Sequence, residues 1–338
     1  MSTETMGTPP TTTTPYGAPK AMSSRLPDGV YVPTLAFFTD NEEADTNTLE
    51  RHLVRLINAG VAGIVVHGSN GEAVHLTREE RSSMIRCAAD NIHQEGHDVK
   101  IPLIAGCGAQ STRETLQLCR DAHKSGATHA LALPPSYYGT LLDDDKIVRH
   151  FYEVADASPI PLLIYNFPAA ASGRDLSSDA IVRIAQHPNV VGVKLTCGNT
   201  GKLARVVDDA PEGFFVAGGS ADFILQGQVV GANGTIAGLA NIAPRACARV
   251  MELAAGGRLA EARRLQAVVA KGDWVAIQTG FVGVKAAIGQ FEQYGGAPRK
   301  PCISPSAEEV KGVVGGLSEL RRFEAELEEE ATRADAAR

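Results

Sequence analysis

No stretch of this 338-residue chain approaches the roughly 18 apolar residues of a membrane-spanning helix, so no membrane partner is expected. Basic residues are outnumbered, 32 against 39 acidic, and the net charge of −7 argues against a nucleic-acid or anionic-membrane surface. Any anionic ligand must then be held by local donors. Cysteine is sparse: Cys87, Cys107, Cys119, Cys197, Cys247 and Cys302 form no CxxC pair and no secreted-domain spacing, which suits free thiols in a reducing compartment. A GxGxxG fingerprint is missing after the first strand candidate, which counts against a dinucleotide fold, and no GxSxG elbow marks a common hydrolase. Of the nine histidines only His93 and His97 share an i,i+4 spacing, beside Gly96 in polar surroundings, so neither a metal nor a cofactor is expected. His67, at a strand end, reads as a satisfied wall residue.

What is present is a long alternation of short apolar runs and amphipathic segments, with 44% hydrophobic residues to build a core. Eight strand candidates follow one another: Tyr31 to Phe38, Gly63 to Gly68, Pro102 to Cys107, His129 to Pro134, Pro161 to Phe167, Val190 to Thr196, Phe214 to Gly218 and Gly234 to Leu239. Helical segments separate them. Thr77 with Glu80 has the form of a capping box, and Ser111 with Glu114 repeats it. Eight such units predict a (β/α)8 TIM barrel over residues 29–254. Beyond it, 255–338 read as a C-terminal helical extension with helices at 258–271, 273–288 and 306–335 and Gly-Pro breaks around 295–301. The charged end from Glu324 reads as a solvated or frayed tail. Residues 1–28, rich in Thr, Pro, Ser and Gly with only Lys20 and Arg25 basic, read as a disordered leader rather than a signal or mitochondrial presequence, which makes the cytoplasm the expected compartment.

Lys194 is the anomaly in this pattern. It lies within Val190-Val191-Gly192-Val193-Lys194-Leu195-Thr196, where an ammonium costs several kcal/mol unless it is paired or deprotonated. A deprotonated lysine attacks ketones to give a Schiff base; the bland alternative is a stem packed in the strand with its ammonium snorkelling to water. Tyr165, in Leu162-Leu163-Ile164-Tyr165-Asn166-Phe167-Pro168, lies 29 positions earlier (165 to 194), one strand-helix-strand period. If the two strands are neighbours, both side chains emerge at the same carboxyl edge, and the tyrosine can carry protons for the lysine.

Other strand exits offer weaker signals. Gly68-Ser69-Asn70-Gly71-Glu72 can turn backbone N–H groups towards a carboxylate, although any βα turn uses such residues. Tyr137 and Tyr138 follow a rigid Pro134-Pro135 exit, where stacking at an interface is the rival reading. Gly218-Gly219-Ser220 and Gly238-Leu239-Ala240-Asn241 are open backbone where a phosphate could sit, which keeps a phosphosugar isomerase or decarboxylase in view. A non-catalytic ligand sensor on the same fold is a third possibility.

Together, Gly-Ser-Asn-Gly-Glu at 68–72, Tyr-Tyr at 137–138, Tyr-Asn-Phe-Pro at 165–168 and Val-Gly-Val-Lys at 191–194 resemble the dihydrodipicolinate synthase and N-acetylneuraminate lyase superfamily, class I pyruvate-handling aldolases, over residues 29–305. The resemblance implies cleavage of a 4-hydroxy-2-oxo acid to pyruvate and an aldehyde, without metal. Lys194 would form the Schiff base and Tyr165 would move the proton, with Ser69 and Tyr137 completing a hydroxyl relay. The turn at Ser69 and Asn70 would hold the pyruvoyl carboxylate, and Gly68, Ile236 and Tyr138 would join Asn70 in binding substrate, with Ile236 lining the pocket. It implies too that Tyr137 enters from a neighbouring subunit of a homo-oligomer, commonly a tetramer. Dihydrodipicolinate synthases carry an arginine after Tyr-Asn-x-Pro where this chain has Ala169, Ala170 and Ala171, which demotes that activity. Ser172-Gly173-Arg174-Asp175-Leu176 and Ser69-Asn70 look more like fungal 3-deoxy-hexulosonate aldolases, the leading expectation, and 4-hydroxy-2-oxoglutarate aldolases, the alternative. Arg174 reads as a solvated helix-start residue, with binding of a second carboxylate as its functional rival.

Overall fold

The computed structural model describes residues 25–94 and 101–336. Eight parallel strands close into a barrel in sequence order: β1 (Gly29–Pro33), β2 (Gly63–Val66), β3 (Leu103–Gly106), β4 (His129–Ala132), β5 (Leu162–Asn166), β6 (Val190–Leu195), β7 (Phe215–Gly218) and β8 (Gly234–Ile236). Closure is made by β1, which pairs with β2 through Tyr31 and Gly63 and with β8 through Gly29 and Gly234. Glycine is needed at that seam: a Cβ on Gly234 would stand 2.2 Å from the Gly29 carbonyl oxygen. Between the strands lie α1 (Thr46–Asn58), α2 (Arg78–Gln94), α3 (Thr112–Lys124), α4 (Asp144–Ala157), α5 (Ser178–Ala185), α6 (Thr200–Asp209) and α7 (Ile224–Val229). After β8 come α8 (Pro244–Ala255), α9 (Leu259–Phe291) and α10 (Ala307–Ala336).

The apolar runs read as strands because both of their faces are buried. Val30 and Val32 face outward to the helices, while Tyr31, Val65, Ile104, Leu131, Leu163 and Phe215 point inward and fill the barrel. Tyr31 meets Phe215 edge-on with ring centroids 5.2 Å apart, and its hydroxyl donates to the Pro27 carbonyl. The capping box at α2 is formed in both directions: Thr77 N donates to Glu80 Oε2 and Glu80 N to Thr77 Oγ1.

Several boundaries differ from the sequence reading. The first strand stops at Pro33, which has no N–H to donate, and the second stops before His67, whose φ of 58° turns the chain out of the sheet. The helix break expected near Gly272 is absent. Gly272 is buried inside α9, where a Cβ would lie 2.6 Å from Leu320 Cδ2, so the glycine allows close approach of α10. The break falls at Gly280 instead, with φ 61° and ψ −164°. The expected frayed tail is also corrected: α10 continues to Ala336, and Glu324 is completely buried. Glu324 accepts hydrogen bonds from Arg245 N (3.0 Å) and Ala246 N (2.8 Å), capping α8, whose own N-cap residue Ala243 offers no side-chain acceptor. The leader reading for 1–28 falls almost entirely outside the described residues, as do His97 and the side chain of His93.

Candidate active site

The exits of β2, β5, β6, β7 and β8 surround a 310 Å³ cavity at the carboxyl rim of the barrel, and α9 forms its remaining wall. That volume lies in the roughly 300–1,000 Å³ range of small-molecule sites. β5 and β6 pair with Tyr165 directly opposite Lys194. Lys194 is 3% exposed, and its Nζ sits 4.3 Å from the centroid of the Tyr165 ring, over the negative face of the π-system. Tyr165 in turn stacks on Phe167, with centroids 5.8 Å apart. The Ser69 hydroxyl reaches the Tyr165 hydroxyl at 3.5 Å from across the barrel.

The turn that presents Ser69 and Asn70 is held by its far end. Glu72 adopts φ 49° and sends a buried carboxylate beneath the loop: Oε1 accepts from Lys285 Nζ at 2.9 Å, and Oε2 from Arg299 N at 2.9 Å and from His75 Nδ1 at 3.1 Å. Burial pushes the pKa of Lys285 down, against the pull of Glu72. Asn70 is braced by Gly238, where a Cβ would lie 2.5 Å from its Nδ2.

The remaining expected residues are placed elsewhere. Gly68 is buried in the β2 exit behind the cavity lining. Ile236 is fully buried among the inward-facing side chains of the barrel, and the lining at that strand comes from Gly238 and Leu239 just beyond it. Tyr137 and Tyr138 project from the β4 exit, 78% and 63% exposed, stacked edge to face on each other and away from the lining. Arg174 is neither solvated nor free to hold a carboxylate in the cavity. Its Nη2 donates to the carbonyls of Gly139 and Leu142, and Asp144 lies 3.8 Å from its Nη1, so it ties the β5 exit to the β4 exit. His67 is buried, but its Nε2 has no hydrogen-bond partner among the described residues.

Asp273, on α9, was not legible from sequence. It is 2% exposed, and its Oδ2 accepts from Ser220 Oγ (2.7 Å), Ala221 N (2.7 Å) and Asp222 N (2.9 Å). Burial pushes its pKa up to about 6, against the hydrogen bonds that favour the carboxylate. These contacts weaken the phosphosugar reading at the β7 exit, because the Ala221 and Asp222 amides there already donate to a carboxylate. Among the described residues, Lys194 is the only cation and Asp273 the only acid lining the cavity. No group of three or more His, Cys, Asp or Glu side chains among them is arranged to hold a metal ion.

Fold and cavity thus define a (β/α)8 barrel with a buried lysine at the carboxyl end of its sixth strand, set against a tyrosine of the fifth. The model of the Dihydrodipicolinate synthetase family matches residues 26–319, and the chain belongs to that family. It is 53% identical to a protein of Emericella nidulans named "Probable 4-hydroxy-2-oxoglutarate aldolase, mitochondrial", over 90% of this chain and 98% of that protein. It is 43% identical to the L-threo-3-deoxy-hexylosonate aldolase of Hypocrea jecorina, over 89% of this chain and 98% of the other. A crystal structure of a dihydrodipicolinate synthase family protein from Coccidioides immitis superposes with a TM-score of 0.81 at 36% identity, covering 90% of this chain and all of that one.

Proposed function

We propose that the protein is a class I aldolase that cleaves a 4-hydroxy-2-oxo acid reversibly to pyruvate and an aldehyde through a Schiff base on Lys194. The observation that carries this reading is the buried Lys194 amine, 4.3 Å from the Tyr165 ring and in one cavity with Ser69. The neutral amine adds to the C2 ketone, and loss of water leaves a protonated imine. Tyr165 takes the proton of the C4 hydroxyl, the C3–C4 bond breaks, and its electron pair flows to the iminium as an enamine. The aldehyde leaves; protonation at C3 and hydrolysis release pyruvate and restore the lysine. Ser69 relays the proton from Tyr165, and the donors around Asn70 hold the pyruvoyl carboxylate.

A 3-deoxy-hexulosonate is the preferred substrate class, because among the described residues no cation beyond Lys194 lines the cavity to receive a second carboxylate. Identity of 53% to the Emericella nidulans protein favours 4-hydroxy-2-oxoglutarate as the second reading. Tyr137 completes the relay from a neighbouring subunit of a homo-oligomer, a dimer of dimers; the exposure of the stacked Tyr137 and Tyr138 and of Leu141 at the β4 exit supports such a self-interface. We infer the cytoplasm as the compartment, and the word mitochondrial in the relative's name makes that organelle the competing result of a fluorescent-fusion experiment.

The test is intact mass after incubation with pyruvate and borohydride. Wild type should gain one reduced pyruvoyl group, and Lys194→Ala should gain none; an unmodified wild-type protein, folded by circular dichroism, would refute the Schiff base.

A further inference from the structure

Asp273 stands in the cavity for a reason the lyase chemistry does not require. It comes from α9, outside the eight βα units, and its orientation is fixed because Oδ2 takes three hydrogen bonds from Ser220, Ala221 and Asp222. Oδ1 accepts none from the described residues, and the side chain lines the same cavity as Lys194. A second unsatisfied group lines the same cavity: Thr196, just past β6, has a buried hydroxyl without a partner among the described residues. Gly219 leaves that hydroxyl room, since a Cβ there would be 1.9 Å from Thr196 Oγ1.

We propose that Asp273 and Thr196 read the hydroxylated tail of the aldehyde half of the substrate and exclude tails that end in a carboxylate. A fixed carboxylate oxygen in a half-enclosed cavity calls for donors, which the hydroxyls of a sugar-derived aldehyde supply. A glyoxylyl carboxylate at the same place meets a like charge in a low-dielectric site, and among the described residues the one cation lining the cavity is Lys194, whose positive charge in the adduct sits on the iminium nitrogen at C2, away from the aldehyde tail. Ala276, Ile277 and Phe281 complete the wall against the carbon chain. This inference rests on the aldolase reading and specifies its substrate class.

The experiment measures kcat/KM for aldol addition of pyruvate to glyceraldehyde and to glyoxylate, in wild type, Asp273→Asn and Thr196→Val, with borohydride trapping of pyruvate on wild type alongside. Asp273→Asn is expected to lower the ratio of glyceraldehyde to glyoxylate by about tenfold or more, through a weaker acceptor and relief of the repulsion. Thr196→Val, nearly isosteric and outside the set of hydrogen bonds that fix Asp273, is expected to lower the same ratio by a smaller factor. Loss of activity on both aldehydes in proportion, in both variants, overturns the inference. If wild type forms the pyruvate adduct while neither variant changes the ratio, the tail-reading role falls and the aldolase reading stands; without an adduct both fall.

Discussion

Replacing Lys285 with methionine should destabilise the protein and disorganise the turn that carries Ser69 and Asn70. Lys285 Nζ and Glu72 Oε1 are 2.9 Å apart, with the two side chains 1% and 0% exposed, so the substitution leaves a carboxylate stranded where water does not reach. Breaking a buried pair from one side costs about 3–5 kcal/mol. Arg299 N and His75 Nδ1 remain on Oε2, which favours the lower half of that range. Urea unfolding followed by circular dichroism reads the loss as a lower midpoint at unchanged slope. Glu72→Gln with Lys285→Met should recover part of it, since the double variant removes the charge itself, with a coupling of roughly 0.5–3 kcal/mol. A single-variant loss below about 1 kcal/mol, the scale of an exposed ion pair, would refute the claim that the pair is closed to solvent.

Burial pushes His52 and His67 down to about 3 and His129 and His150 to about 4, so between those values and about 6.5 the unfolded chain binds more protons and stability falls with the pH. Glu324, raised to about 7, and Asp273, raised to about 6, act with the opposite sign over their own ranges, but four histidines outweigh two acids, and the urea midpoint should be lower at pH 5 than at pH 7.5; an equal or higher midpoint refutes the buried-histidine account. Gly280→Ala should cost about 1–3 kcal/mol, because φ 61° with ψ −164° is open to glycine alone, and it should raise KM for the aldehyde by shifting the cavity wall; an unchanged thermal midpoint contradicts the strain. Tyr137→Phe, at an exposed position, should change stability by less than about 0.5 kcal/mol yet lower activity, and mixed oligomers with Lys194→Ala should regain activity. Mixed oligomers as inactive as their parents would show that the tyrosine does not act across subunits.

The barrel was legible because eight runs buried on both faces carry a continuous apolar signal, and Lys194 stood out as the one charge inside such a run. Tyr165 followed from its spacing alone. What escaped depends on contacts far along the chain. Gly272 looks like a helix breaker until Leu320 is packed against it, and Asp273 looks like any helix-surface acid until the β7 exit folds under it. Glu324 sat in a charged stretch, yet Val313, Leu317, Leu320, Glu324 and Leu327 repeat at steps of four and three, a stripe facing the core in which the acid takes an apolar place. Strand ends are hidden in the sequence where the apolar character runs past the point at which Pro33 or His67 leaves the ladder.

The wall that α9 gives the cavity also sets an order of events during synthesis. All eight strands, Lys194 and Tyr165 have been translated by residue 236, but Asp273 through Val284 have not, and Glu324, which fastens the first turn of α8, comes later still. At about 5–20 residues per second, the growing chain spends seconds with a complete set of strands and an open cleft. A ribosome stalled in that interval would hold a nascent protein with its amine in place but without the wall and acid that close around the substrate, so turnover should begin only when α9 has docked.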